Sequence, residues 1–449
     1  MNPQELTRRV LQELAAERAV YGYGSIAAID RRMGKGSGYL GRVLRGEVGL
    51  QVETLFQALE ALDADLVTFF GRVVGAEVSP ERLLRRLERQ GGGRDVPAVL
   101  DRCERLLAGG TADPGTPVPA AGEITAELAR LDEERFSDPV ETAKAEAAVE
   151  AAARRAACRR DPESLKLLAR ALGVLAPFYR LRARFAAAAR CLRLALRLSA
   201  PADLLEVRAD VLQRICYLLG DQGEYRVAAE VARLAFEAYA LAEDGAGTGR
   251  ALVDRAIMLN RAGQPAAAAE AYEHSLKHLP EEAWVNRFSV YQGLGWIHAG
   301  RGDLDAARHY AERAAACHRT RQGQNWSRLL WLQGEIAFAG GQPEVAQRAL
   351  REARAGLVDH GNPFDVALVS LRLAKALFAT GEVRQMQRLA AEMLCLLKPL
   401  GKHRIASAAV QEFARATLAG EVTLELLDRV FEQVKRGRPH AGAPEPSLA

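Results

Sequence analysis

"RAGQPAAAAEAYEHSL", residues 261–276, decides how most of this chain is read. Gly263 lets the backbone turn between two apolar-periodic segments, and Ala268, five positions on, lets two helices approach closely. The arrangement returns as DQGEYRVAAEVARLAF (221–236), GRGDLDAARHYAERAA (300–315), AGGQPEVAQRALREAR (339–354) and ATGEVRQMQRLAAEML (379–394). The turn glycines are Gly223, Gly263, Gly302, Gly341 and Gly381, spaced 40, 39, 39 and 40 residues apart. A weaker copy, LRARFAAAARCLRLAL (181–196), puts Ala183 at the glycine position, 40 residues earlier. Gly420, 39 residues after Gly381, opens a truncated last copy. Ala228, Ala268, Ala307 and Ala346 hold the small position.

The pattern predicts a pair of antiparallel helices per repeat. One pair cannot bury its apolar face alone, so neighbours stack into a solenoid. Composition agrees: Ala, Leu, Arg and Glu dominate, whereas β-branched and aromatic residues are sparse, which favours helix almost everywhere. The repeat at 252–280 resembles the tetratricopeptide (TPR) family, with Leu252, Leu259, Gly263, Ala268, Tyr272 and Pro280 on its motif positions. YQGLGWIH (291–298) continues the match through Gly295, and then Ala307. The resemblance covers roughly 165–435 and implies a right-handed α-solenoid of about six repeats, with a pitch near 40 residues where about 34 is usual for the family. Pro177, inside the first copy's leading helix, is expected to kink or break it.

A different unit precedes the repeats. Leu6, Val10, Leu11 and Leu14 recur at helical spacing in the first twenty residues. Ser25 is a cap for IAAIDRRM, Gly34 closes that helix, and Ser37 is a cap for GYLGRVLRG. QVETLFQALEAL (51–62) forms a fourth helix, and DLVTFF (65–70) begins a fifth. Residues 23–70 resemble the lambda-repressor-like (XRE-type) helix-turn-helix fold. Met33, Gly34, Tyr39, Leu40, Arg42, Val43, Arg45 and Gly46 fall on its pattern, followed by Glu53, Leu55 and Leu59. Asp30 stands where that family usually has Ala, Lys35 where it has an apolar residue, and Leu44 where it has Glu. Between residues 31 and 46 stand the five cations Arg31, Arg32, Lys35, Arg42 and Arg45, with no acid, a cluster suited to neutralising phosphate. The resemblance implies that helix three enters the major groove of double-stranded DNA. Its contact residues are then Arg31, Arg32, Lys35, Ser37, Gly38, Tyr39, Arg42 and Arg45.

The organisation read from the sequence is therefore all-α. A head occupies 1–75, connecting helices 76–107, and a Pro/Gly linker 108–122. Capping helices over 123–164, repeats over 165–435 and a disordered tail over 436–449 complete it. In a TPR superhelix the leading helices line the concave face. By resemblance, the lining is Gln213, Tyr217, Arg250, Asn260, Gln292, Trp296, Arg328, Trp331 and Glu335, which suits a peptide or protein segment. The competing reading of the tryptophans is packing between repeats.

Other classes lack a signal. A net charge of +4 on 449 residues gives no chain-wide attraction to nucleic acid or membrane. The first residues carry Glu5, Glu13 and Glu17 and are not a signal peptide. No run of 18 apolar residues appears, so no membrane partner is expected. Cys103, Cys158, Cys191, Cys216, Cys317 and Cys395 form no CxxC pair and read as small buried thiols of a reducing cytoplasm. His274 and His278 are four apart, but Ser275 stands where a zincin needs Glu, so no metal or other cofactor is expected. No P-loop, GxSxG or dinucleotide fingerprint is present, and no enzyme is expected. Head plus repeats resembles the RRNPP-type bacterial regulators, in which a peptide in the groove shifts DNA binding. The expectation is a cytoplasmic DNA-binding regulator whose repeats sense an effector or form a homodimer. The alternative is a protein-interaction scaffold with a head that does not read DNA.

Overall fold

The computed structural model describes residues 10–11, 30, 33–35, 39–44, 47–49, 51–61, 79–90, 97–108, 118, 120–134, 140–359, 363–396 and 404–436. The expected first and fifth helices, most of the linker and the tail lie outside the described residues. Within them, every regular element is helical, in an all-α, solenoid-like arrangement. The helices are α1 (Tyr39–Leu44), α2 (Val52–Ala61), α3 (Pro80–Gln90), α4 (Ala98–Leu107), α5 (Ala121–Glu134) and α6 (Val140–Arg159). Seven consecutive pairs follow among the described residues: α7 (Pro162–Leu181) with α8 (Phe185–Leu198), α9 (Leu205–Asp221) with α10 (Tyr225–Leu241), and α11 (Gly245–Arg261) with α12 (Pro265–Ser275). The rest are α13 (Trp284–Gly300) with α14 (Leu304–Cys317), α15 (Gly323–Ala339) with α16 (Pro343–Asp359), α17 (Pro363–Ala379) with α18 (Val383–Leu396), and α19 (Arg404–Ala419) with α20 (Leu424–Arg436).

One backbone device makes all seven turns. Gly223, Gly263, Gly302, Gly341, Gly381 and Gly420 have φ between 72° and 79°, and Ala183 has φ 56°. Each ends its helix in the left-handed region, and the next residue's N–H reaches back five residues. Arg184 bonds the Tyr179 carbonyl at 2.9 Å, Gln264 that of Leu259 at 2.9 Å, and Asp303 that of His298 at 3.0 Å. This is the Schellman closure, which satisfies carbonyls a helix end leaves orphaned. The small residues predicted behind each turn, Ala228, Ala268, Ala307 and Ala346, are fully buried. Close approach has a second signature at Gly334, where a Cβ would lie 2.6 Å from Leu350 Cγ of the partner helix. Pro177 departs from expectation. It lies buried inside α7, which runs on to Leu181. A proline there loses one helical hydrogen bond, and burial of Leu175, Phe178 and Tyr179 around it outweighs that cost.

The chain divides into two compact units. The first comprises residues 1–220, 224–242 and 258–264, and the second residues 221–223, 243–257 and 265–449. In the first, α3 packs on α8, and α4 packs on α6. Leu83, Leu84 and Leu87 of α3 are buried, as are Val99, Leu100 and Cys103 of α4. The stretch read as connecting helices is thus part of a helical core. In the second, α16, α17, α18, α19 and α20 share one apolar cluster that includes Leu350, Leu371, Met393, Phe413 and Val430. The closing helix α20 packs on both α19 and α17. Among the described residues no helix is long and apolar enough to cross a membrane. Cys103, Cys191 and Cys216 are buried as expected, whereas Cys158 and Cys395 are exposed. Desolvation pushes the Cys103 thiol up to about 12 and raises Cys191 as well, which makes both poor nucleophiles.

Candidate functional site

The cation-rich segment 31–46 contains α1. Leu40 and Val43 of α1 are fully buried, as are Ala58 and Leu59 of α2, with Leu55 nearly so. Gly34 has φ 66°, and the Lys35 N–H bonds the Asp30 carbonyl five residues back at 2.7 Å, the pattern of the repeat turns. Asp30, the departure from the family pattern, is fully buried, and its Oδ1 accepts the Leu40 N–H at 2.8 Å. Its carboxylate therefore caps α1 from across the turn, complementing the partial positive charge of the helix start.

The apolar side of α1 leaves Arg42 exposed, with Lys35 half-buried at the turn. The Lys35 ammonium sits 5.7 Å from the centre of the Tyr39 ring. The Tyr39 hydroxyl lies 3.4 Å from Thr54 Oγ1, so this side chain also ties α1 to α2. Arg31, Arg32, Ser37, Gly38 and Arg45 lie outside the described residues.

The residues expected to line a groove fall in both units. In the first, Gln213 accepts from the Tyr239 hydroxyl at 3.1 Å, Tyr217 is exposed beneath the Arg180 guanidinium, and Asn260 is exposed. In the second, Arg250 lies 3.7 Å from Asp244. Gln292 donates to the Asn325 carbonyl at 3.3 Å. Trp296 and Trp331 meet edge to face at 5.4 Å, so packing between repeats accounts for part of their contact.

Two of the expected ligands are engaged internally. Arg328 pairs with the buried carboxylate of Asp365 at 2.7 Å. Glu335 accepts from Trp331 Nε1 at 2.9 Å and pairs with Arg372 Nε at 2.9 Å. Burial pushes the Glu335 carboxyl up against the lowering pull of Arg372 and the Trp331 bond. The chain of charge continues: Arg372 and Lys375 both reach Asp428 of α20, at 3.2 and 2.7 Å. Arg372 also lies over the Phe431 ring at 3.7 Å. Gln292, Trp296 and Trp331 remain half-buried beside this network.

Sequence reading missed a third cluster, in the first unit. Arg190 of α8 pairs with Asp101 at 2.7 Å and Glu104 at 2.5 Å of α4. Arg193 pairs with Glu88 of α3 at 2.6 Å and Glu104 at 3.4 Å. Desolvation opposes the charge on Arg190, but hydrogen bonds to Glu104 and Asp101 outweigh it and hold the guanidinium above its ordinary value. The sequence signal was faint: paired acids and bases one helical turn apart in PERLLRRLERQ, with partners about a hundred residues away.

No protein-family model matches this chain, and no curated protein matches it. Among solved structures, one described as the crystal structure of BtubC (BKLC) from P. vanneervenii is similar at 21% identity. That similarity covers 49% of this chain and 90% of that one, with a TM-score of 0.42.

Proposed function

We propose that this chain is a DNA-binding regulator with a TPR-like interaction domain. The observation that carries the proposal is the two-sided character of α1. Leu40 and Val43 are buried, Asp30 caps its start, and Arg42 is exposed, with Lys35 half-buried at the turn before it, in a segment that has no acid between residues 31 and 46. A helix with one buried side and an exposed arginine can place a guanidinium at phosphate or at a guanine edge. In the regulator reading, the Gln292–Trp296–Trp331 surface supplies amide and aromatic contacts for a peptide or protein effector.

The test is selection of random duplex DNA by the full-length protein at about 150 mM salt, physiological ionic strength. The Arg42→Ala/Lys35→Ala double variant serves as control. An enriched motif that the variant loses supports reading by α1. Equal retention of both proteins, with no enrichment, refutes it and leaves the scaffold reading. That second reading rests on Gln292, Trp296 and Trp331 alone and needs no DNA.

A further inference from the structure

Helices α3, α4 and α8 of the first unit border an open cleft of about 610 Å³ lined by Arg85, Glu88, Arg89, Glu104, Arg190 and Arg193, with Ala186. Its charge does not balance. Both carboxylates are already engaged: Glu88 with Arg193, and Glu104 with Arg190 and Arg193. Asp101 adds a further partner to Arg190 from outside the lining. Arg85 and Arg89 stand one helical turn apart on the same face of α3, both exposed, with no acidic partner among the described residues.

The walls are also fixed. The Arg190 and Arg193 side chains are each only 15% exposed, Arg190 held by two acids of α4 and Arg193 by one acid each of α3 and α4. Donors already locked in place lose little freedom when a ligand arrives, which favours binding. A guanidinium presents a planar fork matched to phosphoryl oxygens. The volume falls within the range of small-molecule sites, about 300–1,000 Å³. The excess of guanidinia over carboxylates in the lining favours an anionic occupant over an apolar one.

We infer that this cavity binds a small phosphorylated molecule, with Arg85 and Arg89 as the primary phosphoryl contacts and Arg190 and Arg193 as the preorganised wall. The inference stands whether or not α1 binds DNA. Because the lining comes from three helices, the ligand also ties α3 and α4 to the first helix pair.

The test titrates inorganic pyrophosphate into the full-length chain by calorimetry, up to about 1 mM, the weak end of specific affinity. The variants are Arg85→Ala/Arg89→Ala, the charge-keeping Arg85→Lys/Arg89→Lys, and Arg82→Ala. Arg82 is exposed on the same helix but outside the cavity lining. The expected result is saturable one-to-one binding, weakened at least about tenfold in the double alanine variant. The lysine variant should be intermediate, and Arg82→Ala unchanged. Absence of saturable binding to the wild type overturns the inference. Equal loss in Arg82→Ala also overturns it, because the helix surface then attracts anions without a site. Duplex DNA held through Arg85 and Arg89 with no pyrophosphate binding reassigns these residues to a nucleic-acid backbone contact and likewise overturns it.

Discussion

Replacing Ala183 with glycine should stabilise the first unit. Ala183 occupies the turn position that the later repeats give to glycine, with φ 56°, and its Cβ is exposed. Holding an L-residue in the left-handed region costs about 1–2 kcal/mol. Glycine removes that strain but adds about 0.4–1 kcal/mol of freedom to the unfolded chain. The difference is a net gain of about 0.5–1 kcal/mol, and no buried contact is lost. For a unit of this size that is a rise in Tm of about 1–4 °C. Thermal unfolding followed by far-UV circular dichroism would read it. The reciprocal substitution tests the same physics. A Cβ on Gly263, at φ 74°, would meet nothing within 4 Å, so Gly263→Ala reports backbone strain alone and should lower Tm by a similar amount. If Ala183→Gly lowers Tm, or both changes are silent, left-handed strain is not what the repeat glycine relieves.

Other outcomes follow from single contacts. Arg42→Ala should leave stability unchanged, because the side chain is exposed, and should reduce the salt slope of DNA binding by about 0.9 in a filter-binding series. Asp30→Ala leaves the Leu40 N–H without its cap and should cost about 1–2 kcal/mol in urea unfolding. Arg328→Met takes the guanidinium away from the buried Asp365 carboxylate. The expected cost is about 2–3 kcal/mol, below the figure for a fully buried pair because the Arg328 side chain is 34% exposed. His318 is buried against Trp284, Phe288 and Trp326, and its Nδ1 accepts the Arg321 N–H at 3.1 Å. Desolvation holds its pKa below the ordinary value, so its contribution is present above the unfolded-state pKa of about 6.5 and is lost as pH falls through the lower folded value. Tryptophan-monitored Tm should drop on acidification, and the drop should shrink in His318→Gln.

The repeat was legible because its punctuation is backbone chemistry. A left-handed closure nearly demands glycine, so the spacing from Gly223 to Gly420 shows in the letters. Period alone then located Ala183, where the letter is wrong but the conformation is kept. Pro177 misled because its penalty is local and its compensation is not: the neighbours that bury it are set by packing. Asp30 read as a departure from the helix-turn-helix pattern and is instead a cap whose partner lies ten residues on. Glu335 and Arg328 were assigned to a groove because helical spacing says which face a residue occupies. It says nothing of Arg372 or Asp365, 37 residues further along, which claim them. The Arg190–Glu104 pair joins residues 86 apart, a separation that helical spacing does not reach.

Magnitudes decide what those long-range arginines are for. Exposed and half-exposed ion pairs contribute about 0.2–1 kcal/mol each and fade with salt. Fully burying a leucine contributes about 1.5–3 kcal/mol and does not fade. Leu84 and Leu100 are fully buried, and Leu83, Leu87 and Val99 nearly so. Apolar burial therefore holds α3 and α4 in place, while Arg190 and Arg193 set register and shape the cavity. The two roles separate at high ionic strength. At about 1 M salt, with a screening length near 3 Å, pyrophosphate binding should vanish. Hydrogen exchange at Leu84 and Leu100 should stay as slow as at low salt. If those amides open when the salt is raised, the ion pairs are the fastening and the leucines secondary.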